Sequence, residues 1–409
     1  MKKTLFLCIL SIFLLIGCAE ITFNPNEVPA GSQSNYDMKL SMDNNGLFSA
    51  DVSIDILNVS NEKWEELKLY FIANMFTSEN SPHLNSHSEV GIESIKIENQ
   101  DASYLLEKDT INIPLKRTVS PNESVNFQMK YHFTLPTDGF RFEKIDRNYF
   151  LAQWYPMVPT YQKGWNKQDY TYEGESYHTT FSNFNLTVDI PKEYILVTSS
   201  DEDRLLNVSH HSFQIENVKE IFVALLKDPK VIQKKINNVN IRVFGTGDSE
   251  EFLDKVAETA VESFNYFENI IGPYPHKQLD IILDGPGMEY PGVVTAGSLK
   301  GDSVTNEKIK KIVIHEIAHQ WFYGIISNDP YIDGWLDEGI AQIATSLFLM
   351  GNEKELGYLD LSNKLEPMPS NLPLHKYPNG MQSIYVYGQS SSNVAKIFNQ
   401  YGGKLQMIM

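Results

Sequence analysis

Apolar and polar residues alternate with a period of two over the first half of the chain. Runs of this kind lie at residues 38–42, 52–56, 111–115, 125–133 and 184–190. Such alternation places one face of a strand against a core and the other in water, which is typical of antiparallel sheets. The sequence Asn44-Asn45-Gly46 between the first two runs predicts a hairpin turn. We therefore predict an antiparallel all-β domain, a sandwich or saddle, over residues 37–226.

The pattern changes after about residue 227. It predicts a strand at Val239–Gly245 and a helix that begins near Ser249, with apolar residues at helical spacing. A second strand is predicted at Leu279–Leu283, followed by a glycine-rich turn and two further helices. Strands and helices in this order indicate an α+β domain over residues 227–409.

The first 17 residues have the pattern of a secretory signal. Two lysines precede an apolar stretch at residues 5–16, which is too short to span a bilayer comfortably. The segment ends in Leu15-Ile16-Gly17-Cys18, which resembles the lipobox of bacterial lipoproteins. That resemblance implies a signal peptide over residues 1–17, a diacylated Cys18 as lipid anchor, and a flexible tether over residues 18–36. The alternative is an ordinary signal anchor in which Cys18 has no role.

Composition narrows the possible partners and chemistry. The 409 residues include 52 acidic and 34 basic side chains, for a formal net charge of −18, and two cysteines. Such an acidic chain is not expected to bind nucleic acid, because neutralising phosphates needs clustered Lys and Arg. Loss of Cys8 with the signal would leave no free thiol, which excludes disulfides and a cysteine nucleophile. The mature protein would then be held by its lipid at the outer face of a bacterial membrane.

A candidate metal site lies in the second half, where residues 315–319 read His-Glu-Ile-Ala-His. In a helix, side chains four residues apart share one face, about 6 Å from each other, so His315 and His319 can both reach one Zn²⁺. Glu316 lies about 100° round the helix axis, beside the metal, where a general base belongs. The residues around this motif are nearly all apolar, and burying two histidines and a glutamate among them without a metal would be costly.

A third metal ligand is predicted eighteen residues after His319. Glu338 lies at the start of another helix, nearly opposite that helix's apolar stripe, so it can face the two histidines across a cleft. Two imidazoles and one carboxylate leave one zinc position open for water, which is the catalytic rather than the structural arrangement.

The motif and spacing of these residues resemble those of the aminopeptidase N family of gluzincin zinc metallopeptidases. In that family, His-Glu-x-x-His is followed after eighteen residues by Glu in a Trp-Leu-Asn-Glu-Gly-type stretch, and residues 335–339 here read Trp-Leu-Asp-Glu-Gly. The resemblance covers most of residues 37–400. It implies a thermolysin-like catalytic domain, one zinc ion per chain, and removal of N-terminal residues from peptides by attack of zinc-bound water. The family's catalytic domain continues further than residue 409, so an incomplete domain is expected here.

The family resemblance also implies substrate-binding residues. The stretch Gly285-Pro286-Gly287-Met288-Glu289-Tyr290 resembles the exopeptidase motif Gly-x-Met-Glu-Asn, with Pro286 at the first Gly position and Tyr290 in place of Asn. Gly287, Met288 and Glu289 are therefore expected to bind substrate, and Glu289 to pair with its free α-amino group. Gln153 resembles a glutamine that the family's β domain contributes to the same subsite.

The resemblance leaves two candidates for a catalytic tyrosine that stabilises the oxyanion. The family motif is Tyr-x-Lys-Gly, and the stretch at residues 385–390 reads Tyr-Val-Tyr-Gly-Gln-Ser. Tyr387 aligns better, with Gln389 in place of Lys and Ser390 in place of Gly, whereas Tyr385 keeps Gly388 in register.

The leading hypothesis is therefore a zinc aminopeptidase acting on peptides with a free N-terminus. One alternative is a gluzincin endopeptidase, if the altered stretch at residues 286–290 no longer captures the amine. The other is a non-catalytic, lipid-anchored surface protein that keeps the metal site for binding. The preferred N-terminal residue and the oligomeric state have no signal in the sequence.

Overall fold

The computed structural model describes residues 30–172, 174–202, 205, 207, 209–297, 305–351, 365–378 and 380–400. The predicted signal peptide, Cys18 and the tether up to residue 29 lie outside the described residues. Within the described part of the chain, no helix is long and apolar enough to cross a membrane.

Three sheets make up the first half of the chain. Their strands are β1 Ser32–Met42, β2 Phe48–Asn58, β3 Trp64–Tyr70, β4 Val90–Ile97, β5 Gln100–Asp101, β6 Leu105–Glu107, β7 Thr110–Val119, β8 Ser124–Phe133, β9 Phe142–Ile145, β10 Asn148–Leu151, β11 Ser182–Asp189, β12 Tyr194–Thr198, β13 His210–Val218 and β14 Val223–Lys227. A seven-stranded sheet has the order β13-β11-β1-β2-β8-β4-β5, a four-stranded sheet the order β12-β14-β10-β9, and a three-stranded sheet the order β3-β7-β6. The alternation predicted from the sequence is present, because every second residue of β1 and β2 is buried in one common core.

Two sequence expectations about this half need correction. β1 begins at Ser32, so residues 32–36, which were assigned to the tether, are part of a strand. Small polar residues hid this start, since Ser32 and Ser34 occupy buried positions and carry no hydrophobic signal. The large sheet is also not purely antiparallel, because β1 pairs with β11 in parallel. Alternation reports which face is buried and carries no information on strand direction.

The second half combines a small mixed sheet with helices. The sheet has the order β15-β16-β17-β18, with strands Lys230–Ile236, Val239–Gly245, Gln278–Ile282 and Val293–Thr295. The helices are α1 Glu250–Ile270, α2 Asn306–Ala318, α3 Pro330–Met350 and α4 Ser390–Gln400, with a 3-10 turn at Leu374–Lys376 and a π-helical turn at Ile384–Gln389. The first half contains one further 3-10 turn among its described residues, at Ile72–Phe76. The predicted strand at Val239–Gly245 is confirmed residue for residue, and Ser249 caps α1 by accepting from the Phe252 amide.

The two halves share an apolar interface. Phe150, Ala224 and Leu226 from the four-stranded sheet pack with Phe244 and Ile282 from the mixed sheet in one buried cluster. The same cluster contains Met288 and Tyr290, and the ring of Tyr290 stacks on Phe222 at a centroid distance of 4.2 Å. The stretch resembling the exopeptidase motif therefore lies against the first half of the chain.

Candidate metal centre and active site

Helix α2 ends at the candidate metal site. The helix ends at Ala318, and His319 is its C-cap. The chain then turns tightly, with the Gly324 amide bonding to the His319 carbonyl at 3.0 Å. A Cβ at Gly324 would lie 2.6 Å from the Gln320 carbonyl oxygen, so only glycine fits this turn. His315 and His319 still lie one turn apart on the same face.

Three ligand atoms converge at this end of the helix. Nε2 of His315 lies 3.2 Å from Nε2 of His319 and 3.1 Å from Oε2 of Glu338, and the His319–Glu338 distance is 3.2 Å. A tetrahedral zinc ion with bonds of about 2.0 to 2.1 Å holds its ligand atoms about 3.3 to 3.4 Å apart. The observed triangle is close to that spacing, and two imidazoles with one carboxylate form a catalytic zinc donor set. The three residues therefore fit the metal that the sequence predicts.

Hydrogen bonds behind the ligands set the tautomer of one histidine. Nδ1 of His319 lies 2.9 Å from the Phe322 carbonyl oxygen and 2.9 Å from Oδ1 of Asp337. Both partners are acceptors, so Nδ1 carries the proton and the lone pair of Nε2 faces the site. For His315, Nδ1 is buried without a hydrogen-bond partner among the described residues.

Helix α3 supplies the third ligand and the carboxylate that orients His319. Asp329 caps its N-terminus by accepting from the Tyr331 and Ile332 amides, and the helix is kinked at Asp333. Asp337 and Glu338 follow on the face towards α2. Burial opposes ionisation of Glu338, but the two adjacent histidines dominate and hold its pKa far below the usual range. An ionised carboxylate is the form that ligates a metal.

Glu316 packs directly against the stretch resembling the exopeptidase motif. A Cβ at Gly287 would lie 2.5 Å from Oε1 of Glu316, so glycine is needed for this close approach. Burial raises the pKa of Glu316 to about 7, while the nearby histidines counteract that shift. A carboxylate with a pKa near neutral is suited to accept and return a proton.

Gln320 holds that stretch against α2. Its Oε1 accepts from the Gly292 amide at 2.9 Å, and its Nε2 donates to the Tyr290 carbonyl at 3.1 Å. This side chain ties the residues around Glu289 to the turn that follows His319. Gln320 belongs to no motif of the sequence, although it directly follows the histidine motif.

Glu289 lies close to the metal ligands. Its carboxylate, a nitrogen of His319 and a carboxylate oxygen of Asp337 are all within 4.8 Å of one another. The residue is only 5% exposed. Burial, and next the carboxylate of Glu175, raise the pKa of Glu289 well above its usual range. A carboxylate in this position would be stabilised by a cation.

Gln153 is held by a buried cluster between the two halves. Its Nε2 donates to Oε2 of Glu220 at 2.7 Å and to the Tyr177 hydroxyl at 3.0 Å. Oε1 of Glu220 accepts from the Tyr177 hydroxyl at 2.8 Å and also from the Tyr323 hydroxyl. We call Glu220, Gln153, Tyr177 and Tyr323 the Glu220 cluster. With both amide hydrogens of Gln153 directed to these partners, its Oε1 is the atom left to accept from a ligand.

Two residues of the Glu220 cluster have unusual backbone conformations. Gln153 has φ 47° and Tyr323 has φ 149°, both in the positive region that favours glycine. A non-glycine residue there costs about 1 to 3 kcal/mol and persists only where surrounding contacts hold it, most often at functional sites. Sequence reasoning missed Glu220, Tyr177 and Tyr323, because they are far apart in the chain and match no motif.

The structure separates the two tyrosine candidates. The Tyr387 hydroxyl donates to Oε1 of Glu338, and its ring lies 6.0 Å from that of His315. The Tyr385 hydroxyl instead donates to the Glu366 carbonyl at 3.0 Å, and its ring stacks on Tyr377. Both are carried by a π-helical turn, a feature often found at functional sites. Only Tyr387 therefore lies at the candidate centre.

The fold and the geometry of this site are those expected of a gluzincin-type zinc metallopeptidase domain. Residues 256–400 match the model of the peptidase family M1 domain. This part of the chain is thus similar to a peptidase family M1 domain, which supports the resemblance to the aminopeptidase N family and implies zinc as the metal.

Curated relatives match over part of the chain. Aminopeptidase 2 of Candida albicans is 25% identical over 178 residues, which are 39% of this chain and 19% of that protein. Aminopeptidase N of Oryctolagus cuniculus is 34% identical over 119 residues, which are 26% of this chain and 12% of the relative. Leukotriene A-4 hydrolase of Xenopus laevis is 31% identical over 97 residues, which are 22% of this chain and 15% of that protein. The matched segments thus span only about a fifth or less of these relatives.

A solved structure extends the likeness to the first half. A point mutant of the M1 zinc metallopeptidase from Deinococcus radiodurans superposes with a TM-score of 0.59, covering 91% of this chain and 84% of that chain. The sequence identity is 14%, so the likeness concerns the fold. It supports the expected order of a β domain followed by a thermolysin-like domain.

Proposed function

We propose that the protein is a zinc-dependent aminopeptidase that removes N-terminal residues from peptides. The observation that carries the proposal is the triangle of ligand atoms from His315, His319 and Glu338, with Glu316 and Glu289 beside it. The M1 domain match and the aminopeptidase relatives support the same class of reaction.

The three ligand residues would hold the zinc ion, with Asp337 keeping His319 in the tautomer that binds it. When bound, zinc supplies a Lewis acid that polarises the scissile carbonyl and lowers the pKa of a water molecule to about 7. Glu316 takes the proton of the attacking water and passes it to the leaving amine. Its contact with Gly287 holds the carboxylate between the ligands and the loop that carries Glu289.

Substrate register would be set by the amine. Glu289 pairs with the free α-ammonium group, and the fixed Oε1 of Gln153 accepts a hydrogen bond from the same group. Met288 and Gly287 form the adjoining wall, where Met288 bonds to Thr295 through its backbone. Tyr387 donates to the oxyanion that develops at the scissile carbonyl. Because the amine is bound, only chain ends reach the metal.

The test compares substrates with free and blocked N-termini. The purified protein is assayed with aminoacyl-nitroanilides and with internally quenched, amino-blocked peptides. We expect hydrolysis of the free-amine substrates, and Glu289→Gln should lower their kcat/KM about 10- to 100-fold through loss of a charge-assisted contact. Glu250→Gln, at the exposed first turn of α1, is the matched control and should not change it. Cleavage of the blocked peptide alone would identify an endopeptidase, and zinc uptake without any hydrolysis would favour a binding protein.

We further propose that the protein is exported and anchored through a lipid on Cys18. The proposal rests on the signal pattern of residues 1–18, and the negative net charge of −18 makes attraction to an anionic membrane surface or to nucleic acid unfavourable. Metabolic labelling with a fatty-acid analogue should tag the wild-type protein and not Cys18→Ser. An unlabelled wild-type protein in the membrane fraction would contradict the lipid anchor.

A further inference from the structure

The Glu220 cluster connects the first half of the chain to a zinc ligand. Glu220 and Tyr323 are fully buried, and their side chains meet across the interface between the halves. Tyr323 directly follows Phe322, whose carbonyl oxygen lies 2.9 Å from Nδ1 of His319. A shift of Tyr323 would therefore move an acceptor that orients a metal ligand.

Lys219 reinforces the hold on Tyr323. Its Nζ lies 3.9 Å from the centroid of the Tyr323 ring, and this buried ammonium has no hydrogen-bond partner among the described residues. The ring is thus contacted on its face by Lys219 and at its hydroxyl by Glu220. These contacts keep Tyr323 at a φ of 149°, a conformation that a tyrosine does not otherwise favour.

Glu220 also sets the direction of Gln153. One oxygen accepts from two hydroxyls, those of Tyr177 and Tyr323, and the other accepts from the Gln153 amide. All the donors directed at Glu220 therefore require a carboxylate. An amide at this position would either place its NH₂ group against that of Gln153 or direct it at the two hydroxyls.

We propose that Glu220 is a positioning residue through which the first half of the chain orients both the zinc ligand His319 and the amide of Gln153. One branch runs through Tyr323 and the Phe322 carbonyl to the metal ligand. The other runs directly to Gln153, with Tyr177 as its second partner. The proposal rests on the zinc site of the proposed function, but its first readout is metal binding and not catalysis.

Branch-specific variants of the full chain test this arrangement. Zinc affinity is measured by competition with a chelator, ligand geometry by the visible spectrum of the Co²⁺-substituted protein, and KM and kcat with an aminoacyl-nitroanilide at saturating zinc. Tyr323→Phe should weaken zinc binding about 10- to 100-fold and change the Co²⁺ spectrum, as expected for loss of a group that supports a metal ligand. Tyr177→Phe should leave zinc affinity unchanged and raise KM. Glu220→Gln should do both.

Two comparisons make the test decisive. In a double-mutant cycle, Glu220→Gln with Tyr323→Phe should bind zinc no more weakly than Glu220→Gln alone, because both remove one contact. Asp109→Asn is the matched control, since Asp109 is equally buried but bonds to Lys167 and Tyr170 in the first half. It should lower thermal stability without changing zinc affinity.

Each contrary result has a distinct meaning. Wild-type zinc affinity and an unchanged Co²⁺ spectrum in Tyr323→Phe would overturn the inference while leaving the proposed peptidase intact. An equal loss of zinc affinity in Asp109→Asn would also overturn it, since general destabilisation would then explain the effect. If Glu220→Gln does not fold, the two tyrosine variants still test the inference, through zinc affinity for Tyr323→Phe and through KM for Tyr177→Phe. Wild-type protein that takes up no zinc would overturn the proposed site as well.

Discussion

Two buried groups of charges in the second half of the chain differ in how completely they are satisfied. In the mixed sheet, Asp280 on β17 accepts two hydrogen bonds from Arg242 on the neighbouring β16. Nε of Arg242 donates to Oδ1 at 2.7 Å, and Nη2 donates to Oδ2 at 2.6 Å. At the end of α2, three ligand atoms from His315, His319 and Glu338 lie within 3.2 Å of one another. The first group pairs a cation with an anion by donated hydrogens. The second directs lone pairs at a common point.

This difference separates a structural charge from a functional one. The Arg242–Asp280 pair is complete within the protein, so its removal should affect folding alone. The triangle of ligand atoms would be completed by a bound cation, so its removal should affect metal binding and chemistry. Burial by itself does not distinguish them, because Asp280 and His319 are both almost fully buried.

The largest expected effect is loss of the metal ligand Glu338. Glu338→Ala should not retain zinc through dialysis, and its peptidase activity should fall to background. Zinc at about 1,000 times its dissociation constant should stabilise the wild-type protein by about 4 kcal/mol, and this stabilisation should be absent in the variant. Thermal unfolding with and without chelator measures it. A Glu338→Ala protein with a chelator-sensitive melting temperature would contradict the assignment of the triangle.

The next effect separates the proton acceptor from the ligands. Glu316→Gln should keep wild-type zinc content and lose about 10²- to 10⁴-fold in kcat, because the amide cannot take a proton. Metal analysis and steady-state kinetics on the same preparation measure both quantities. Retained activity in this variant would exclude Glu316 as the general base.

A smaller effect is expected at the tyrosine. Tyr387→Phe should lower kcat about 10²- to 10³-fold through loss of an oxyanion donor. Tyr385→Phe is its matched control, because it removes a hydroxyl two residues away that donates to the Glu366 carbonyl. We compare kcat of the two variants at saturating zinc. An equal loss of kcat in both would contradict a specific role of the Tyr387 hydroxyl in stabilising the oxyanion.

The complete ion pair should show the least effect on function. Asp280→Asn should destabilise the fold by about 3 to 5 kcal/mol, because the buried guanidinium of Arg242 would lose its counter-ion. Denaturant unfolding gives the free energy, and zinc content and kcat per folded molecule should match those of the wild type. Loss of zinc from the folded variant would mean that the two groups of charges are coupled.

The convergence of His315, His319 and Glu338 could be predicted from the sequence because local geometry determines most of it. A helix brings His315 and His319 to one face by its period, and the opposite orientation of Glu338 follows from the apolar stripe of its own helix. The Asn44-Asn45-Gly46 turn and the pairing of β1 with β2 were accessible for the same reason. The amide of Asn45 and that of Leu47 bond to the Asp43 carboxylate within this turn.

The residues that the sequence did not reveal act across long separations. Glu220 bonds to Gln153 over 67 positions and to Tyr323 over 103, and no periodicity or motif relates them. The choice between Tyr387 and Tyr385 also depends on contacts with distant parts of the chain. Two residues apart on a π-helical turn, they face different surroundings, and alignment with a motif could not assign one of them to the metal centre.

The sequence by itself determined the alternating strands, the helix of the histidine motif and the donor chemistry of the three candidate metal ligands. These depend on backbone periods and on side-chain types within one or two neighbouring elements. Only the tertiary structure decided that β1 and β11 are parallel, that Gln320 and Gly287 allow the stretch at residues 285–292 to pack against α2, and that Glu220 of the first half bonds to Tyr323 of the second. Those contacts depend on how separate sheets and helices pack, which no local pattern encodes.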